Sequence, residues 1–329
     1  MTFADWLAET RELYRTESVG PATAQSLNAL RMGAQRRLDQ YIGHSPWDRG
    51  DWDVLVILDA TRADLWRDVA PEYGLTDLTA WSNAAASIDW IRRNISQRPE
   101  RDRLIYVTGN PFADHDSPNT KSADLSKKGL AHFAPLYRDG WQDIGNGVWT
   151  IPPRELTDYA IAAWRNRERL GGDRMIIHYM QPHQPFRGMP DGHGIEQNMQ
   201  ALAIGEERGK HGAGAWDRLR EGVIDEDELW SAYEDNLRWV LDDVTERLLP
   251  NLDAEVVISS DHGNAMGEWG VWGHPPGAIA PPVRCVPWAA VITTDEETIE
   301  TATVLDRTFE ATDVENRLDA LGYIEDDDD

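Results

Sequence analysis

The chain has 329 residues, of which 41% are apolar, and its 58 acidic against 32 basic residues give a formal charge of −26. That length suits one large domain with an appendage, or two domains, and no run reaches the roughly 18 apolar residues of a membrane span. The acidic balance argues against nucleic acid as a partner, because phosphate contacts need a basic stripe.

Residues 3–42 carry apolar side chains at helical spacing, broken at Gly20-Pro21, and predict an N-terminal helical segment over 1–50. Ser45 to Gly50 reads as a turn. Val54–Leu58 follows as a short apolar, β-branched run of the kind found in strands covered on both faces. Residues 104–108 predict a second strand, ended by Gly109-Asn110-Pro111, and 113–130 a polar surface loop. A helix is expected over 155–170 and a strand over Arg174–Tyr179, which runs into Gln181-Pro182-His183-Gln184-Pro185-Phe186. Residues 188–222, aperiodic and glycine-scattered, read as an insertion or lid. A long amphipathic helix over 225–248 feeds a strand at 255–259. Residues 293–329 form a short appendage with a helix at 313–321 and an acidic tail. Strands alternating with helices imply an α/β/α sandwich of three layers around a mostly parallel sheet, with the main domain over 51–292.

Several features bear on solvent and compartment. Only four basic residues are lysines, at 121, 127, 128 and 210, and there are 15 tryptophans. Self-repulsion at this charge is tolerable when screened, and the Debye length falls to about 3 Å at 1 M salt, so a salt-adapted protein of a high-salt cytoplasm is expected. The lone Cys285 excludes an intramolecular disulfide framework and a zinc–thiolate cluster, and reads as a small core residue. Met1 to Trp6 is amphipathic rather than a charged-then-apolar leader, which predicts a soluble, intracellular chain.

Two apolar runs end in metal-binding side chains. The first ends at Asp59, and the second, Val256-Val257-Ile258-Ser259-Ser260, ends at Asp261-His262-Gly263. Ligands of open parallel sheets sit beyond the carboxyl ends of the strands. Two carboxylates and an imidazole meeting there make a divalent-cation site. The bland alternative is that both Asp residues cap helices following the strands.

Five pieces then fall in a familiar order: Leu58-Asp59-Ala60-Thr61-Arg62-Ala63-Asp64, Ala86-Ser87-Ile88-Asp89-Trp90, Gln181 to Phe186, Ser260-Asp261-His262-Gly263 and Trp272-Gly273-His274-Pro275. This pattern resembles the alkaline phosphatase/sulfatase superfamily, in particular its sulfatase-like branch, over roughly 52–292; the ending at 316–323 also looks like that branch. The resemblance implies that Asp59, Asp261 and His262 bind a metal that also contacts the nucleophile. It lets His274 serve as a second-metal ligand or as a contact to the transferred group. It gives His183 a contact to the substrate anion or leaving oxygen, with general-acid catalysis as an option.

Departures from the branch are informative. No Cys/Ser-x-Pro/Ala-x-Arg signal stands after the first motif, so formylglycine is not expected and an unmodified hydroxyl is. Ser87 is the preferred nucleophile, set against the reading that it is only a helix N-cap; Ser82 and Thr61 are lesser candidates. Ala60 replaces a calcium-ligating Asp of the sulfatases. That shifts the expected ion toward Zn²⁺ or Mn²⁺, with Mg²⁺ or Ca²⁺ as alternatives. No carboxylate near His178, Gln181 and His183 completes a second site. Arg62 either orients the substrate anion or pairs with Asp64 as scaffold. Glu268 is read as structural, and His44, His115, His132, His193 and His211 as solvent-exposed by default. Trp47, Trp52, Trp81 and Trp90 are read as packing residues.

The expected function is metal-dependent hydrolysis of phosphate or sulfate esters through a covalent intermediate on a hydroxyl, with phosphate favoured. The substrate would be a small molecule or a glycan. Alternatives are a transferase moving a phospho-group onto a glycan or lipid head group, and a binder of anionic glycans without turnover.

Overall fold

The computed structural model describes residues 41–114, 122–145, 148–189 and 214–300, together with 33, 35, 37–39, 305 and 309. The helices expected within 3–32 and at 313–321, the heart of the 188–222 insertion, and His115, His193 and His211 all lie outside the described residues.

Among the described residues the strands are β1 (Val54–Leu58), β2 (Thr79–Trp81), β3 (Leu104–Thr108), β4 (His132–Pro135), β5 (Gln142–Asp143), β6 (Trp149–Thr150), β7 (Arg174–Tyr179), β8 (Ala254–Ser259), β9 (Ala265–Met266), β10 (Trp272–Gly273) and β11 (Cys285–Thr293). Seven form one sheet in the order β2-β11-β8-β1-β7-β3-β4. All pairings from β8 to β4 are parallel, while β11 runs antiparallel to both β8 and β2. The four apolar runs expected as strands are thus β8, β1, β7 and β3, side by side at the centre. β1 and β3 are buried along their whole length, which is why their side chains do not alternate with polar ones.

Alternation along β7 separates the two faces. Tyr179 points to the helix Pro153–Arg165, where its hydroxyl meets Thr157 Oγ1 at 2.8 Å. His178 points the other way, edge-on to Trp90 with ring centroids 5.7 Å apart. The helix Glu226–Asp243 packs on the same side as Pro153–Arg165, capped by the Asp225 carboxylate on the Asp227 amide at 2.9 Å. The other layer is the Ser87–Ile91 helix, which continues as a π turn over Arg92–Ser96.

Several expectations change. Trp52 and Trp90 are core, Trp47 is half-buried, and Trp81 is 41% exposed, because β2 is an edge strand only three residues long. Cys285 is half-buried, since it opens β11 opposite Trp81. His132 is half-buried too, stacked on Tyr159 with its Nε2 2.8 Å from the phenol oxygen. Residues beyond β11 still hold to the same body: Arg165 forks onto Asp295, and Asn251 receives the Ile299 amide at 3.2 Å. No helix among the described residues is long and apolar enough to cross a membrane.

Candidate metal centre

Register brings the candidate ligands to one level. Ile57 of β1 is paired with His178 of β7 and with Ser259 of β8, and Thr108 of β3 with His178. The residues just beyond these pairs are Asp59, Asp261-His262 and Asn110, all fully buried. One ligand atom from each of Asp59, Asp261 and His262 lies within 4.8 Å of the others, so a single ion can bridge them.

Each carboxylate has one oxygen committed to the scaffold and one left over. Asp59 Oδ2 accepts from Asn110 Nδ2 at 2.8 Å and from Ser87 Oγ at 3.2 Å. Asp261 Oδ1 accepts from the amides of His262 at 2.9 Å and Ala60 at 3.0 Å. Asp59 Oδ1 and Asp261 Oδ2 are buried without a hydrogen-bond partner, and so is His178 Nε2. Buried anionic oxygens left unpaired are costly unless a cation meets them. His262 Nε2 lies 3.4 Å from Asp261 Oδ2 and 3.8 Å from Asp59 Oδ1.

The His262 tautomer suits coordination. Its Nδ1–H donates to the Gly263 carbonyl at 3.1 Å, which turns the Nε2 lone pair toward the carboxylates. Gly263 permits this tight turn, because a Cβ there would lie 2.2 Å from the Pro282 carbonyl oxygen. Burial pushes the Asp261 carboxyl up, but His262, His178 and the Ala60 amide overcome that and hold it well below the usual carboxylate range. The donor set of two carboxylate oxygens and an imidazole nitrogen could hold a metal ion.

His178 was not singled out from the sequence as a site residue. Its Nε2 lies 3.5 Å from Asp261 Oδ2 and 3.6 Å from Asp59 Oδ2, and its Nδ1 meets the Tyr106 hydroxyl at 2.9 Å. Burial lowers its pKa, but Tyr106 and the two carboxylates raise it further, so the net shift is strongly upward. Asn110 was likewise read only as a strand-ending turn. Asn110 stands beyond the carboxyl end of an apolar run, as Asp59 does, whereas His178 lies within its strand, one residue before the end.

Ser87 stands at the first position of its helix, with Ala86 at the N-cap. Its hydroxyl caps nothing; it lies 3.2 Å from both Asp59 Oδ2 and His262 Nε2. The lesser candidates are spent elsewhere. Ser82 donates to the Asp261 carbonyl, and Thr61 to the Leu58 carbonyl at 3.0 Å.

His274 is not part of the three-residue group that can share an ion. It stacks on His262, centroids 4.2 Å apart, and its Nε2 lies 3.3 Å from His183 Nε2. His183 Nδ1 donates to the Gln184 carbonyl at 2.7 Å, so the two facing Nε2 atoms share one proton. Burial pushes both imidazoles down, His274 further because His262 and His183 adjoin it. The loop bearing His183 is held by buried Asn236, which donates to the Pro185 carbonyl at 2.9 Å and accepts from the Arg187 amide at 2.9 Å.

Arg62 is held by neighbouring groups of the protein. It grips Asp64 through Nε at 2.8 Å and Nη2 at 2.6 Å, Glu268 at 2.6 Å, and the Asn264 carbonyl at 2.9 Å. Glu268 also accepts from the Met266 amide, so this clamp ties the β1 loop to the β9–β10 hairpin that precedes His274.

No family model and no characterised protein matches the chain in sequence. Among solved structures it is similar to the soluble domain of lipooligosaccharide phosphoethanolamine transferase A from Neisseria meningitidis, at 16% identity over 76% of this chain and 80% of that one, TM-score 0.39. The C-terminal periplasmic domain of phosphoethanolamine transferase EptC from Campylobacter jejuni matches at 15% over 74% and 79%, TM-score 0.43. A sulfatase described with glycosaminoglycan metabolism by Bacteroides thetaiotaomicron matches at 12% over 72% and 66%, TM-score 0.37. The central sheet, seven-stranded and mostly parallel with helices packed on it, is that of an α/β fold.

Proposed function

We propose that this chain transfers a phosphoryl group from an ester through a covalent intermediate on Ser87. The observation that carries the reading is the Ser87 hydroxyl lying between Asp59 and His262, beside two unpaired buried carboxylate oxygens. Asp59, Asp261 and His262 would hold the divalent ion, with His178 facing both carboxylates. An ion bound there supplies positive charge that stabilises a serine alkoxide and the oxygens of the transferred group.

The remaining chemistry belongs to the side chains. The Ser87 Oγ–phosphorus bond forms as the ester phosphorus–oxygen bond breaks, and the serine proton leaves along the hydrogen bond to Asp59 Oδ2. Asn110 keeps Asp59 oriented for that acceptance. Burial lowers the pKa values of His183 and His274 and keeps both neutral, so the leaving oxygen departs as its anion, met by the N–H between their Nε2 atoms once that hydrogen bond opens, and takes its proton from solvent. In the second half-reaction the same neutral pair is a base for the hydroxyl that resolves the intermediate. Whether that hydroxyl is water or an acceptor alcohol separates a hydrolase from a transferase, and the chemistry up to the phospho-serine is common to both. An unmodified serine supports phosphate over sulfate esters, since sulfate release in the sulfatase-like branch uses a hemiacetal. The substrate class is a small-molecule or glycan phosphate ester.

The test is turnover of a nitrophenyl phosphate and a nitrophenyl sulfate in molar salt, with and without an added alcohol. Phosphate release with a Ser87-linked intermediate supports the reading. Full cation occupancy with no turnover of either ester favours the anionic-glycan binder.

A further inference from the structure

Tyr233 is fully buried on the helix Glu226–Asp243, its ring among Phe186, Trp216 and Trp230 at centroid distances of 5.5, 5.6 and 6.4 Å. The hydroxyl leaves that cluster. It donates to the Ala60 carbonyl and accepts from Asn264 Nδ2 at 3.3 Å, so Asn264 fixes which way its proton points. The amide donor of Asn264 suits a phenol that must give its proton to a carbonyl.

Ala60 has φ +64°, a left-handed conformation that a Cβ disfavours and that surrounding contacts must maintain. In that conformation its N–H meets Asp261 Oδ1 at 3.0 Å. The His262 amide donates to the same oxygen at 2.9 Å, while the Ser260 hydroxyl gives its proton to the His262 carbonyl at 2.6 Å. Oδ1 is therefore saturated, and the carboxylate plane is turned so that unpartnered Oδ2 faces His262 Nε2 and His178 Nε2. If residue 60 relaxed to a right-handed or extended conformation, its N–H would swing away and Asp261 would lose one of its two amide donors.

We propose that Tyr233 is a positioning residue for the metal centre, holding Ala60 in the left-handed turn that aims Asp261 Oδ2 at the cation. This rests on the reading that Asp261 is a cation ligand. A purely structural Tyr233 would act through its ring alone, and the Tyr233→Phe change leaves that ring in place.

The experiment measures Zn²⁺ and Mn²⁺ affinity of the full chain by chelator-competition calorimetry. The variants are Tyr233→Phe, Ala60→Gly, their combination and Asp261→Asn, with thermal melts alongside. Glycine adopts φ +64° without a Cβ penalty, so residue 60 needs the phenol less to keep the turn. Tyr233→Phe is expected to weaken cation binding about 10- to 100-fold, the usual effect of losing an outer partner of a ligand, while melting remains cooperative. Adding Ala60→Gly is expected to restore most of the loss. Tyr233→Phe affinity within twofold of the parent overturns the proposal and leaves the metal reading intact. A loss that Ala60→Gly does not restore also overturns it, assigning the effect to packing. If Asp261→Asn binds as the parent does, the metal reading itself fails and takes the proposal with it.

Discussion

Ser87 Oγ lies 3.2 Å from His262 Nε2, a residue 175 positions further along the chain. Strand β8 has to pair with β1 for these two to meet, so the contact reports the sheet order as well as the site. Ser87→Ala is expected to cut phosphate ester turnover by about a thousandfold or more, as loss of a nucleophile does, with cation binding retained. Cys285→Ala, remote in β11, should leave turnover unchanged. Steady-state kinetics with intact-mass detection of a phospho-enzyme checks both.

The unpaired oxygens Asp59 Oδ1 and Asp261 Oδ2 make a prediction about affinity. Asp59→Asn or Asp261→Asn should weaken divalent-cation binding by more than about a hundredfold. Prolonged chelation should abolish turnover, with recovery on adding Zn²⁺ or Mn²⁺. Metal analysis after gel filtration gives the occupancies.

The pH profile follows from the paired imidazoles. Both His183 and His274 are pushed below the ordinary 6.5 by burial. Their neutral forms are required, so activity should be at its plateau at pH 7 and fall only as pH drops through their lowered values. The acid limb should lie below 6.5, and a nearby bound cation moves it further the same way. A limb rising above 6.5, measured as kcat/KM against pH, would assign the pair to imidazolium acid catalysis instead.

Arg62 separates scaffold from substrate contact. It is 4% exposed, but Asp64 and Glu268 are 46% and 36% exposed, so solvent screening trims what the ion pairs contribute. Arg62→Ala is expected to lower stability by about 2–3 kcal/mol, through loss of a buried cation with four hydrogen bonds. KM for the ester should change less than about threefold in the remaining folded enzyme. Denaturant melts and kinetics on the same preparation provide the comparison.

What was legible in the sequence was whatever local pattern determines. Val54–Leu58 is an uninterrupted apolar run and residues 104–108, 174–179 and 255–259 each hold one of three or more residues, and the four strands they become are the centre of the sheet. Asp59, Asp261 and His262 were visible because motif and strand end coincide. His178 was passed over because it lies inside a strand, where a histidine reads as core; only the register with Ile57 shows it level with the ligands. β2, β4 and the antiparallel sense of β11 were hidden because three- and four-residue strands carry too little periodicity, and strand direction is not a local property. The geometry of Ala60 was equally invisible, since alanine gives no sign of a left-handed turn.

The most direct test of the account is anomalous diffraction from crystals of the full chain equilibrated with Zn²⁺ or Mn²⁺. A single strong peak about 2.0–2.2 Å from one oxygen of Asp59, one of Asp261 and Nε2 of His262, with Ser87 Oγ beside it, is the predicted result. Full soaking with no peak among those three side chains, or a peak held by other residues while the enzyme turns over, would contradict it.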